Sequence, residues 1–357
     1  MQACVLRGAN DLAVQDVPRP TAGRGEVVIR VRACGICGSD LRYWRGHNPW
    51  ARQTLGIDAP NPPNMILGHE VAGEIVEVGE GVDPRRIGER VALLAYKGCC
   101  VCRYCRRGQE NLCENTLHLG HGAGWTAREY YPGGMADYCP VWSEMAYVIP
   151  DAISYDEATF LDGLGVAVRA VARSQVRPMD NVVVLGAGPI GLLILQVAQA
   201  YGARQVLCTE VSEASMEIAW ACGADGVLDA RQGGLVEAVR EATQGHGADV
   251  VLDTVGHEET LRDGLRMLAR GGRLVALAIK PEEVRFDAAL LSGERTITTT
   301  ANSPYPDFQH AIDLMAAGKI NVTPMITHGF PLSQALEAFS TAEDRANTGA
   351  VKVIIHP

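Results

Sequence analysis

Hydrophobic positions along the chain repeat with two different periods, and the change of period divides it. Up to about residue 150 the period is two. In EVVIRVRA, Val27, Ile29 and Val31 recur at every second position, as in a half-buried strand. GEIVEVG at 73–79, ERVALLA at 89–95, and MADYCPVW running into MAYVIP repeat the pattern. Gly and Pro punctuate these runs, which predicts a twisted, barrel-like sheet with its functional groups on loops.

Between Asp151 and Ser174 the spacing becomes helical, opened by a capping box at Ser154 and Glu157. Strands and helices then alternate. Strands are predicted at 181–185, at QVLCT, near Val227, at DVVLDT, at RLVALA and at 296–300, with helices at 189–201, 213–222, 234–243 and 258–268. Six strands with intervening helices predict a doubly wound parallel sheet, so the chain is an α/β protein with a β-rich partner domain. A helix from Asp307 to Ala317, a helix capped at Ser333 and a strand VKVII leave that rhythm, and the tail is assigned to the first domain.

The first strand of the sheet runs directly into a glycine loop: VVVLGAGPIG places Gly186, Gly188 and Gly191 in G-x-G-x-x-G order, with Pro189 and Ile190 opening an apolar helix. Such a loop makes a tight turn, lets a pyrophosphate approach the backbone, and packs the helix on the strand. The helix N-terminus then offers free N–H groups to the phosphates. Glu210 closes the next strand. Its carboxylate suits the adenosine ribose hydroxyls and repels a 2′-phosphate, which selects NAD over NADP.

The cysteines change the picture of the first domain. Five of the 11 fall between Cys99 and Cys113 in a chain of 357 residues, a pattern of metal binding rather than disulfides. Cys99, Cys102, Cys105 and Cys113 can close a tetrahedral shell, which makes their zinc structural, with Cys100 spare. Elsewhere ACGICGSD and GHEVAGEIVEVG supply Cys37 and His69, ligand types suited to a catalytic zinc that keeps an open position. Each half is ambiguous alone, since a C-x-x-C also serves redox or structural roles. Cys4, Cys34, Cys139, Cys208 and Cys222 read as small buried hydrophobes.

Net charge of −10 disfavours nucleic acid, and Arg103, Arg106 and Arg107, the densest basic run, read as a solvated face. No run of roughly 18 apolar residues marks a membrane span, and MQACVLRGAND has no apolar signal core, so a cytoplasmic protein is expected.

Taken together, the two cysteine elements, the GHE motif and GAGPIG resemble the zinc-dependent medium-chain dehydrogenase/reductase family over nearly the whole chain. The resemblance implies a GroES-like catalytic domain at 1–163 and 301–357, with the structural zinc lobe at about 96–115. It implies a Rossmann NAD-binding domain at 164–300, an active site between the two, and a homodimer or homotetramer. Carried over residue by residue, the catalytic zinc ligands fall on Cys37, His69, Glu70 and Asp162, Asp40 orients the ligand histidine, and Ser39 takes the substrate proton. Tyr43 and Trp44 match the polyol branch, where they lie near the substrate. Where many members carry a relay histidine this chain has Arg42, with His47 as a possible replacement.

Two long loops, 45–64 and 115–133, depart from the family length. In the second, His118, His121, Trp125 and Tyr130 read as a polar loop rather than a metal site. The expected activity is NAD-linked interconversion of a secondary alcohol (polyol, sugar alcohol or diol) and its ketone. A threonine 3-dehydrogenase-like enzyme and a catalytically retired NAD-binding protein stay open as alternatives.

Overall fold

A computed structural model describes residues 1–52, 56–278, 280 and 283–357; part of the 45–64 loop therefore lies outside the described residues. The chain forms two compact units. One comprises Met1–Asp162, Pro304–Ile312 and Ile326–Pro357, the other Gly163–Ser303 and Asp313–Met325.

The first unit is built on the ten-residue strand Glu26–Gly35, paired antiparallel with Glu70–Val78 on one side and with Lys352–His356 and Tyr138–Trp142 on the other. Simple alternation fails here: Val28 is as fully buried as Val27 and Ile29, beside a register shift between Val28 and Ile29, so both faces of the strand are covered at that point, while Arg30 and Arg32 are exposed. The sheet continues through Arg90–Leu93 and Ala146–Val148 at one end and Ile326–Pro331 at the other. The register sets Gly35 opposite both Glu70 and Ile354, which brings the C-terminal strand beside the GHE segment.

In the second unit six parallel strands stand in the order 226–229, 205–210, 181–185, 248–253, 268–276, 296–299. This is the doubly wound order expected from the rhythm of the sequence. Val182, Val183 and Val184 are all buried, as a strand covered on both faces requires. Asp313–Met325, assigned with the tail to the first domain by its period, clusters here instead. The cause is local: Ile320, Val322 and Met325 are buried, and the Asn321 N–H donates to Gln196 Oε1 at 2.7 Å.

Candidate metal centre and nucleotide loop

Cys37 is the N-cap of the helix Gly38–Trp44, where the long central strand ends. Asp40, in the first turn, folds back so that Oδ2 accepts the Cys37 N–H at 2.8 Å, while Oδ1 accepts the Gly68 N–H at 3.2 Å. Oδ1 also stands 3.7 Å from His69 Nδ1, an ion-pair distance rather than a hydrogen bond. One fully buried carboxylate thus ties the two half-sites together and faces the imidazole.

Cys37 Sγ, a His69 ring nitrogen and a Glu70 carboxylate oxygen lie within 4.8 Å of one another. A single ion with bonds of about 2.0–2.3 Å can bridge such a set. The electrostatics agree. Burial works against a charged His69, yet Asp40 and Cys37 together hold its proton affinity well above the usual range, and a field that retains a proton there equally favours a cation. The donor set therefore fits zinc.

Glu70 is ion-paired with Lys352, and both side chains are buried. The Lys352 ammonium also lies 5.1 Å from the Phe160 ring centroid. Sequence reasoning missed Lys352. Its one trace is a lysine embedded among Val351, Val353, Ile354 and Ile355, where a strand otherwise reads as wholly apolar. Asp162 stands outside the group of three ligand atoms. Burial pushes its carboxyl up to about 6, opposed by His69 and Lys352 and reinforced by Glu70, so it shares their electrostatic environment. Ser39 is half-buried in the first helical turn; Arg42 and His47, both exposed, line a cavity of about 390 Å³ with Arg45, Glu343 and Arg345.

The loop at 115–133 corrects the sequence-based picture. His121 is buried, and His118 and His121 stack at 4.0 Å between ring centroids, edge-on to His69 at 5.8 and 6.3 Å. Tyr43 stacks on the far face of His121 at 4.9 Å. Burial, then His69, drives His118 down to about 3; burial, then His118 and His69, drives His121 well below the usual imidazole range, so both are neutral near pH 7. The missed cue was the company these histidines keep: glycines at 120, 122 and 124 allow the loop to fold tightly.

In the cysteine lobe the four sulfurs of Cys99, Cys102, Cys105 and Cys113 also lie within 4.8 Å of one another. Backbone N–H groups point at them: Cys102 N–H to Cys99 Sγ at 3.3 Å, Cys105 N–H to Cys102 Sγ at 3.5 Å, and Cys99 and Asn115 N–H to Cys113 Sγ at 3.2 and 3.3 Å. Such donors favour thiolates, drawing Cys102 down to about 6 and lowering Cys99, while burial pushes Cys105 up to about 12. Cys100 is exposed, the spare thiol of the run. A Cys102→Ser protein is expected to carry one zinc ion fewer per chain and to be cleaved by protease within 99–113, since the metal supplies much of the lobe's ordering energy; undiminished zinc content would refute this.

In the nucleotide loop Gly186 adopts φ +95°, and a Cβ on Gly191 would overlap the Gly186 carbonyl oxygen, so helix and strand touch only because glycine stands there. Gly188 caps the helix Pro189–Ala200, with Pro189 and Ile190 in its first turn. Glu210 Oε2 accepts the Ala187 N–H at 2.8 Å, and Oε1 accepts those of Val211 and Ser212 at 2.7 and 3.1 Å. A carboxylate has about four acceptor positions, so one is left for a ligand hydroxyl. Asp253, not foreseen, is buried and accepts the Val255 and Gly256 N–H groups at 2.9 and 3.0 Å, shaping the adjacent strand end.

Comparison with known proteins finds relatives over nearly the whole chain. The model of the alcohol dehydrogenase GroES-like domain matches residues 23–151, and that of zinc-binding dehydrogenases matches 189–317. A sorbitol dehydrogenase from Bombyx mori is 32% identical over 99% of this chain and 98% of its own. An L-threonine 3-dehydrogenase from Pyrococcus abyssi is 35% identical over 90% of this chain and 88% of its own. A crystal structure of an alcohol dehydrogenase from E. coli CFT073 complexed with NADH superposes with a TM-score of 0.89 at 29% identity, covering 100% of this chain and 99% of the other.

Proposed function

We propose that this chain, which belongs to the zinc-dependent medium-chain dehydrogenase family, interconverts a secondary alcohol and its ketone with NAD, the alcohol being a polyol, sugar alcohol or diol. The observation that carries the reading is the meeting of Cys37, His69 and Glu70 around the buried Asp40. Cys37, His69 and Glu70 would hold the catalytic zinc, with Asp162 as a further oxygen donor, and the four lobe cysteines the structural one. When bound, the catalytic ion supplies Lewis-acid polarisation of the substrate oxygen.

The protein's own groups supply the rest. Asp40 holds both half-sites and faces His69. Ser39 accepts the carbinol proton and passes it toward water, with Arg42 in place of the usual histidine. The reaction balances as secondary alcohol plus NAD⁺ giving ketone, NADH and a proton. Gly186, Gly188 and Gly191 cradle the pyrophosphate, and the remaining acceptor position of Glu210 takes a ribose hydroxyl. The protein acts in the cytoplasm as a homodimer or homotetramer; among its described residues no helix is long and apolar enough to cross a membrane.

Glu210→Ala is expected to raise the KM for NAD and to narrow the NAD-to-NADP preference by about tenfold, roughly 1.4 kcal/mol. A wild-type protein that already prefers NADP would defeat this cofactor assignment.

A threonine 3-dehydrogenase-like activity is the second reading, favoured by the Pyrococcus relative. NAD reduction by the zinc-loaded protein across polyols, diols, simple secondary alcohols and threonine decides. Turnover on a neutral polyol or diol supports the proposal, threonine alone promotes the second reading, and NADH binding without turnover on any alcohol identifies a retired enzyme.

A further inference from the structure

We propose that the cavity lined by Arg42 and Arg345 is an anion seat that takes a phosphate group, free or borne on a small monoester. None of Cys37, His69 and Glu70 lines it, and the proposal goes beyond the dehydrogenase reading by adding a ligand that the reading does not use.

The cavity, of about 390 Å³, falls in the range of small-molecule pockets, about 300–1,000 Å³, and its lining residues all belong to the first compact unit. Arg42 and Arg45 come from the end of the helix Gly38–Trp44, and Glu343 and Arg345 from the junction of the helices Ala335–Glu343 and Arg345–Thr348. Arg45 is already engaged: its guanidinium pairs with Glu343, donates to Asn10 Oδ1 at 2.6 Å and lies 4.4 Å from the Trp44 ring centroid. That pair cancels in charge. The guanidiniums of Arg42 and Arg345 have no ion-pair or hydrogen-bond partner among the described residues, so two unneutralised positive charges line one cavity in a chain of net charge −10. Arginine content alone does not produce this. A second cavity, of about 380 Å³, is lined by Arg262, Arg266 and Arg285, but each of these is paired with a carboxylate, of Glu258, Asp263 and Glu283 in turn.

Like charges gathered without a counter-ion repel, and a bound anion relieves the repulsion. Its class follows from the donors. A guanidinium is a planar fork that takes carboxylate or phosphate oxygens two at a time, so one carboxylate fills one fork. A phosphate monoester carries about −1.5 to −2 charges near pH 7 and three terminal oxygens, which lets it serve both forks and match their combined charge. His47 adds a ring N–H donor to the same lining. Leu41, half-buried, and Ala342, buried, give the cavity an apolar part against which a short carbon chain can rest.

The test is isothermal titration calorimetry of the zinc-loaded protein in phosphate-free buffer of low ionic strength. Glycerol 3-phosphate, inorganic phosphate, glycerate and glycerol are titrated, each with and without saturating NADH. Glycerol 3-phosphate is expected to bind at one site per chain, at least about tenfold tighter than glycerate, while glycerol gives no heat. Arg42→Gln and Arg345→Gln are each expected to weaken it by about tenfold and Arg345→Lys by less, whereas Arg266→Gln, in the second cavity, leaves it unchanged. Inorganic phosphate separates the two sources of the group: affinity equal to the ester's means that free phosphate is the ligand, weaker affinity means that the carbon chain is read too, and either result upholds the seat. Absence of binding, equal affinity for glycerate, or binding that the Arg42 and Arg345 variants leave intact would overturn the proposal. Displacement by NADH would also overturn it, by giving the cavity to the cofactor. Both arginines are exposed, so their variants are expected to fold; should a glutamine variant fail, Arg345→Lys decides, since its affinity falls below wild type or the proposal is wrong. Binding is read without turnover, so failure here leaves the dehydrogenase reading standing, and silence on every alcohol leaves this one standing.

Discussion

A Cys37→Ala protein is expected to lose about 10³-fold or more in kcat, roughly 4 kcal/mol of transition-state stabilisation, while binding NADH as the unaltered chain does. The size of the effect follows from where Cys37 sits. Its sulfur is one of three ligand atoms grouped within 4.8 Å, and the other two come from a single segment, His69 and Glu70. Removing it leaves a histidine and a carboxylate already engaged by Lys352. The cost to the fold is small by comparison, because Cys37 is half-buried and its backbone N–H, which Asp40 accepts, survives the change. On the proposed reading NADH is held by Gly186, Gly191 and Glu210, which belong to the other compact unit. Zinc content, NADH fluorescence titration and turnover are the three readouts. Full activity in this variant would remove Cys37 from the site, and loss of NADH binding would show that the variant is misfolded rather than inactive.

What was legible in the sequence depended on how local the determinants are. The parallel strands announce themselves because a strand buried on both faces must be an unbroken apolar run, as Val182–Val184 are. The capping box at Ser154 and Glu157 is present as expected, with the Glu157 N–H donating to Ser154 Oγ at 3.2 Å. The four lobe cysteines were readable because spacing within one turn-rich segment suffices to gather them. Contacts set by sheet register or loop closure were not readable. Glu70 and Lys352 meet only because Gly35 pairs with both of their strands, across 282 positions of sequence. His118 and His121 look polar in isolation, and only the close approach of Gly120 to Gly68 carries them inward. Asp162 came from family resemblance alone, and its raised carboxyl places it in the same field as His69 without joining the three-atom group.

Asp40→Ala is the second large effect, and it differs from the first by striking the fold and the metal together. The carboxylate is fully buried and accepts two backbone N–H groups, those of Cys37 and Gly68, which flank the two half-sites. Alanine leaves the buried Gly68 N–H and the part-buried Cys37 N–H without an acceptor, at about 1–3 kcal/mol each, so a loss of roughly 2–6 kcal/mol in unfolding free energy is expected. It also removes the negative charge 3.7 Å from His69 Nδ1 that faces the imidazole and favours a cation, which is expected to weaken zinc about 10–100-fold. Asp40→Asn separates the two terms. Its amide oxygen can still accept one N–H, so stability recovers in part, but the charge is gone and zinc remains weakly held. Denaturant unfolding of the NADH-bound protein reads the first term, and competition with a zinc chelator reads the second. An alanine variant that keeps both its unfolding midpoint and its zinc affinity would show that Asp40 neither ties the half-sites together nor tunes His69.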